Sequence, residues 1–181
     1  STYAANSSLS DANGEIGVQI RWPIRDPGDE QWPVAVVVPG GFVPDEVATR
    51  KTSVGVQNED GIVSIQVDLA GENWFEGAND LRGPIGRKAV ALALRYAAGE
   101  IADQHDCKIT DRSRAALAEN VVLVGLSNGG NLAAATLADA SLDLPPVIGW
   151  VAWETPAGPQ FVNSDHRNDD RGALGIYALG A

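Results

Sequence analysis

The sequence predicts an α/β fold, a mostly parallel sheet with flanking helices. Two observations carry that expectation. Short runs rich in β-branched residues, VAVVV (34–38), IVSIQV (62–67) and VVLVG (121–125), are apolar enough to be buried on both faces, as parallel strands are. Between and after them lie segments with helical spacing or helix-forming composition, so strands and helices alternate along the chain.

Residues 1–15, STYAANSSLSDANGE, are small and polar and read as a flexible lead-in. Residues 16–24, IGVQIRWPI, alternate apolar and polar positions, the pattern of a half-buried strand stopped by Pro23. DPGDEQWP is a turn, and VAVVV between Pro33 and Pro39 is the first fully buried strand. It runs into Pro39-Gly40-Gly41-Phe42. Residues 43–60 are weakly patterned; 62–71, IVSIQVDLAG, form the next strand, followed by a loop rich in Gly, Asn and Trp.

Apolar residues from Ile85 to Ile101 recur at helical spacing, with Pro84 where a first turn tolerates it, and predict a helix over 85–104. A polar connection over 103–120 holds at most a short turn before VVLVG. The small-residue stretch NLAAATLADAS (131–141) predicts a helix, and VIGWVAW (147–153) is the last clear strand. Residues 157–181 read as an irregular tail.

The chain of 181 residues is sized for a single domain, with 44% apolar and 20% charged residues, a globular balance. No apolar run approaches the roughly 18 residues of a membrane-spanning helix. A net charge of −11 repels a phosphate backbone, so nucleic acid is not an expected partner. Cys107 is the single cysteine, which rules out an intramolecular disulfide and a thiolate metal cluster. The chain starts at Ser1 with no initiator Met: either a leader has been removed or the sequence starts inside a longer protein, and its compartment stays open.

Gly125-Leu126-Ser127-Asn128-Gly129 matches G-x-S-x-G. Its context carries more weight than the match, because the motif needs a strand, a sharp turn and a helix in immediate succession. VVLV before it and NLAAATLA after it supply both. A serine at such a turn is lifted above the sheet edge, and flanking glycines are required where a β-carbon would collide with a neighbouring element. The N-terminus of the following helix directs N–H groups at the site, so the Asn128 amide is placed to hold a developing oxyanion. The loop Pro39-Gly40-Gly41-Phe42 follows VAVVV where a second donor is expected, and glycine there lets the backbone turn an N–H inward.

These segments resemble the α/β-hydrolase family. The order PVAVVVPGGF, IVSIQVDLAG, DLRGPIGRKAVALALRYAAG, VVLVGLSNGGNLAAA, VIGWVAWETPAG is similar to that family's central strands and helices over about 16–159, and the double glycine after Asn128 is similar to its esterase, peptidase and dienelactone-hydrolase branches. The resemblance implies an α/β-hydrolase-like sheet, a catalytic Ser127, an oxyanion hole from Gly41 and Asn128, an ester or peptide substrate and no cofactor. In the family the acid and histidine follow the nucleophile on later strands, whereas only 54 residues follow Ser127 here. The expected domain is therefore incomplete, lacking carboxy-terminal strands, with the base supplied by a missing carboxy-terminal segment or a second polypeptide.

Two histidines are available. His166 follows Ser127, in the polar loop NSDHRNDD, and is the candidate base within the chain, although a solvated loop histidine is the favoured reading; His105 precedes the turn and is weaker still. Phe42 and Glu154 are candidate pocket residues. Trp150 and Trp153 are expected as core or loop anchors, and Asp68 and Asp80 as turn-fixing residues. Asp165, Asp169 and Asp170 lack calcium-loop spacing and read as a solvated loop, so no metal is expected. The competing reading is a non-catalytic binding or scaffold module that keeps the turn as a relic. Nucleotide binding is weaker, since neither glycine-rich turn matches a P-loop or a dinucleotide fingerprint.

Overall fold

A computed structural model describes residues 2–11, 14–40, 61–69 and 83–155. Six strands form one sheet: β1 (Thr2–Asp11), β2 (Gly14–Pro23), β3 (Trp32–Val38), β4 (Val63–Val67), β5 (Ala116–Leu126) and β6 (Gly149–Trp153). The helices are α1 (Pro84–Ala97), α2 (Ile109–Arg112) and α3 (Asn128–Ala138). The strand order is β1-β2-β4-β3-β5-β6. β4, β3, β5 and β6 are mutually parallel, while β1 pairs antiparallel with β2 and β2 antiparallel with β4. The sheet is thus mixed but mostly parallel, as the apolar runs predict.

Within the lead-in expected over 1–15, Thr2–Asp11 is instead a strand in register with β2 along its whole length, Thr2 opposite Pro23 and Asp11 opposite Gly14. Its polarity concealed it, because two of its buried residues are serines satisfied by a segment almost a hundred residues away. The Ser7 hydroxyl donates to Asp103 Oδ2 at 2.8 Å, Ser8 bonds Gln104 Oε1, and the Gln104 N–H donates to the Ser8 carbonyl at 3.0 Å. Leu9 is fully buried and supplies the apolar anchor.

The helix expected over 85–104 ends at Ala97. Gly99 takes φ +70°, and the N–H groups of Ala98 and Gly99 return to the carbonyls of Leu94 and Tyr96, closing the helix before the apolar pattern runs out. β5 starts five residues before VVLVG, and a register irregularity opposite Pro33 and Val34 absorbs the polar residues between its two paired stretches.

α1 and α3 pack beside one another over one face of the sheet, linked by Arg87 to Asp139 at 2.8 Å. That face holds the main core, with Val34, Val36, Val63, Ile65, Val121 and Leu123 from the strands and Val90, Leu94 and Leu132 from the helices. Alternate residues Ala35, Val37 and Val124 form a smaller cluster on the opposite face, the period-2 consequence of a strand buried on both sides.

Asp103 sits at the centre of a polar knot. Its carboxylate accepts from Ser7, from Arg112 Nη2 at 2.5 Å, and from the N–H groups of His105 at 2.9 Å and Cys107 at 3.1 Å. Burial works against its ionised form, but these donors outweigh it and hold the carboxyl below the ordinary carboxylate range. The same burial, with Asp103 nearby, pushes the Tyr96 phenol well up. Asp68, expected to fix a turn, is fully buried after β4, and its N–H bonds the Gly17 carbonyl at 2.9 Å; Asp80 lies outside the described residues.

Candidate functional site

Ser127 lies between the last residue of β5 and the first of α3, with φ +50° and ψ −124°. A side chain makes that conformation costly, and it persists because the neighbouring backbone leaves no alternative path. A β-carbon on Gly125 would lie 2.3 Å from Gly130 Cα, and one on Gly129 would lie 2.2 Å from the Val38 carbonyl oxygen. α3 therefore starts in direct backbone contact with β5 and with the end of β3. A residue larger than glycine at either position would push the helix off the sheet and open the turn.

Three carboxyl ends converge at this point. Gly40, after β3, is so close to the turn that a β-carbon on it would lie 2.7 Å from the Leu126 carbonyl oxygen and 2.8 Å from Ser127 Cβ. From the other side, the Ser127 N–H donates to the Trp153 carbonyl at 2.7 Å, tying the turn to the end of β6. Beyond Trp153, Glu154 takes φ +50° and is exposed, and the Thr155 side chain turns inward against Gly130. The carboxyl ends of parallel strands are where open α/β sheets hold ligands.

The Ser127 N–H is committed to β6. Asn128 is the first residue of α3, so its N–H has no intrahelical acceptor and faces the end of the helix where partial positive charge accumulates. The Asn128 side chain is fully buried, with neither amide atom bonded among the described residues.

Gly41, Phe42 and His166 lie outside the described residues. His105 is described, and it is remote from the turn: it adjoins Gln104, whose N–H is bonded to Ser8 of β1, and β1 is four strand positions from β5, about 19 Å at ~4.8 Å per position. Trp150 and Trp153, expected as core anchors, are each 47% exposed, because no described element pairs with or covers the outer side of β6.

Thr155 was not anticipated. Its Oγ1 is buried, without a partner among the described residues, and would collide with any side chain at position 130. The double glycine signals that something approaches α3 closely there, but which residue does so depends on the path taken after β6.

No helix among the described residues is long and apolar enough to cross a membrane. No family model and no curated protein sequence matches the chain. Solved structures do. An esterase from the fungus Rhizomucor miehei superposes with a TM-score of 0.64 at 20% identity, over 99% of this chain and 51% of that one. A bacterial heroin esterase gives 0.60 at 19% identity, over 86% of this chain and 44% of that one. Brefeldin A esterase, a bacterial homologue of human hormone-sensitive lipase, gives 0.52 at 22% identity, over 75% and 34%. The chain spans about half or less of the length of these esterases. The mixed sheet, the turn at Ser127 and these superpositions together establish that the chain has the α/β-hydrolase fold, over the part of it that this sequence covers.

Proposed function

We propose that the chain is the nucleophile-bearing part of a serine hydrolase acting on a small ester. The observation that carries the reading is the Ser127 backbone, at φ +50° and ψ −124°, a strained conformation retained on a turn between a strand and a helix. Ser127 Oγ attacks the acyl carbon and loses its proton to a general base. The carbonyl oxygen becomes an oxyanion held by the N–H groups of Asn128 and Gly41, and collapse expels the alcohol to leave an acyl-enzyme. Water then releases the acid by the same route.

A serine hydroxyl needs a base to react at neutral pH. In this reading the base comes from a segment carboxy-terminal to β6, either His166 or a further stretch of polypeptide. Support comes from the exposed apolar side chains Trp150, Val151 and Trp153 on β6 and from the greater length of the esterases that share the fold. Phe42 and Glu154 are proposed as pocket residues flanking the acyl group.

The test is covalent labelling by a fluorophosphonate, read by intact mass. One adduct per chain, absent from Ser127→Ala, is the expected result. Equal labelling of the variant overturns the assignment of Ser127. Slower labelling in His166→Ala assigns the base to this chain, while an unchanged rate assigns it elsewhere. Absence of any adduct, with a folded protein, favours the non-catalytic module.

A further inference from the structure

The opposite end of the sheet carries a cleft. It opens between the start of β1, the end of β2, the turn before β3 and the segment from α2 to β5, with a volume of about 350 Å³. That is the lower end of the range for small-molecule sites. β3 runs from Trp32 in this cleft to Val38 beside the Ser127 turn, a separation of about 20 Å at ~3.3 Å per residue. The two sites cannot share a ligand of ordinary size.

Its walls are aromatic and its charge is unusual for this protein. Tyr3 and Trp22 stand with ring centroids 5.8 Å apart, and Tyr3 remains 53% exposed at the mouth. Trp32 lies below, with Arg25 Cζ 5.2 Å from its ring centroid. Arg25, Arg112 and Arg114 all line the cleft, in a chain whose net charge is −11. Two of these cations are already engaged, Arg25 with Glu30 at 2.7 Å and Arg112 with Asp103 at 2.5 Å. The lining carboxylate of Asp26 accepts the Gly28 N–H at 3.0 Å. Arg114 is exposed and has no carboxylate partner among the described residues.

We propose that this cleft binds a small aromatic carboxylate, with its ring against Tyr3 and Trp22 and its carboxylate on the Arg114 guanidinium. One uncommitted guanidinium matches a single negative charge in a planar group, which a carboxylate presents in the two-pronged geometry that arginine prefers. A dianionic phosphate would call for more cations than the cleft leaves free. The aromatic walls supply stacking area that an aliphatic acid would not use.

Calorimetric titration with benzoate tests the proposal, with benzamide as the neutral isostere and acetate as the ring-less acid. Benzoate is expected to bind at least tenfold more tightly than either control, and more weakly as salt is raised. Arg114→Gln, on an exposed side chain whose loss leaves the fold intact, should cost benzoate at least tenfold and leave benzamide unchanged. Tyr3→Ala should weaken benzoate severalfold. Ser127→Ala should bind it as wild type does. Equal binding of benzamide, retention of affinity in Arg114→Gln, loss of it in Ser127→Ala, or no saturable heat each overturns the proposal.

Discussion

Replacing Ser127 by glycine should make the protein more stable than replacing it by alanine, even though both remove the hydroxyl. The backbone at this residue, φ +50° and ψ −124°, lies close to the mirror image of the polyproline conformation, whose angles are about −75° and +145°. Glycine has no β-carbon and enters that mirror region freely; alanine retains the clash. Strain of this kind costs about 1–3 kcal/mol. Against it stands the extra freedom that glycine gives the unfolded chain, about 0.4–1 kcal/mol relative to alanine. At the midpoints of these ranges the net advantage of glycine is about 1.3 kcal/mol, or roughly 3–5 °C in Tm at ~2–4 °C per kcal/mol for a chain of this size. Thermal and urea unfolding of the two variants, followed by far-UV circular dichroism, measures it. A Ser127→Ala protein as stable as Ser127→Gly would refute the reasoning, because it would mean that the turn relaxes and stores no strain.

Further expectations concern the packing around the turn and the knot behind β1. Gly125→Ala places a methyl 2.3 Å from Gly130 Cα, a backbone atom that cannot move aside, so a loss of about 3 kcal/mol in urea unfolding is expected. Gly149→Ala meets nothing nearer than Val122 Cγ1 at 3.8 Å and should instead stabilise by about 0.5–1 kcal/mol. Asp103→Ala strands the Arg112 guanidinium and the Ser7 hydroxyl; because Arg112 remains partly exposed, about 3 kcal/mol is expected, the low end for a broken buried pair. The folded-state pKa of Asp103 lies below its unfolded value, so its contribution is complete above the unfolded pKa and disappears as pH falls through the folded one. Wild type and Asp103→Ala should therefore converge in stability below about pH 4, where carboxylates begin to protonate, and a constant gap between them down to pH 2 would refute the linkage.

Much of the sheet was legible because parallel strands buried on both faces must be continuously apolar, a signal that survives without any knowledge of neighbours. VAVVV, IVSIQV and VVLVG announce themselves in that way. β1 does not, because Ser7 and Ser8 are acceptable inside only when Asp103 and Gln104 come to meet them. The end of α1 is hidden for a related reason: the apolar pattern continues to Ile101, but the helix stops at Ala97 and the chain turns away at Gly99. Trp150 and Trp153 illustrate the converse, since an apolar strand looks internal in sequence whether or not anything covers it.

The sequence by itself determined the alternation of strands and helices, the strand-to-helix turn at Ser127 and the need for glycine around it, since these follow from local periodicity and from the volume of a single β-carbon. Tertiary structure decided which distant pieces meet there. Gly40 beside Leu126, the Trp153 carbonyl on the Ser127 N–H, and Thr155 against Gly130 depend on the order of strands in the sheet and on their register, to which each residue contributes weakly and which only the packed assembly fixes.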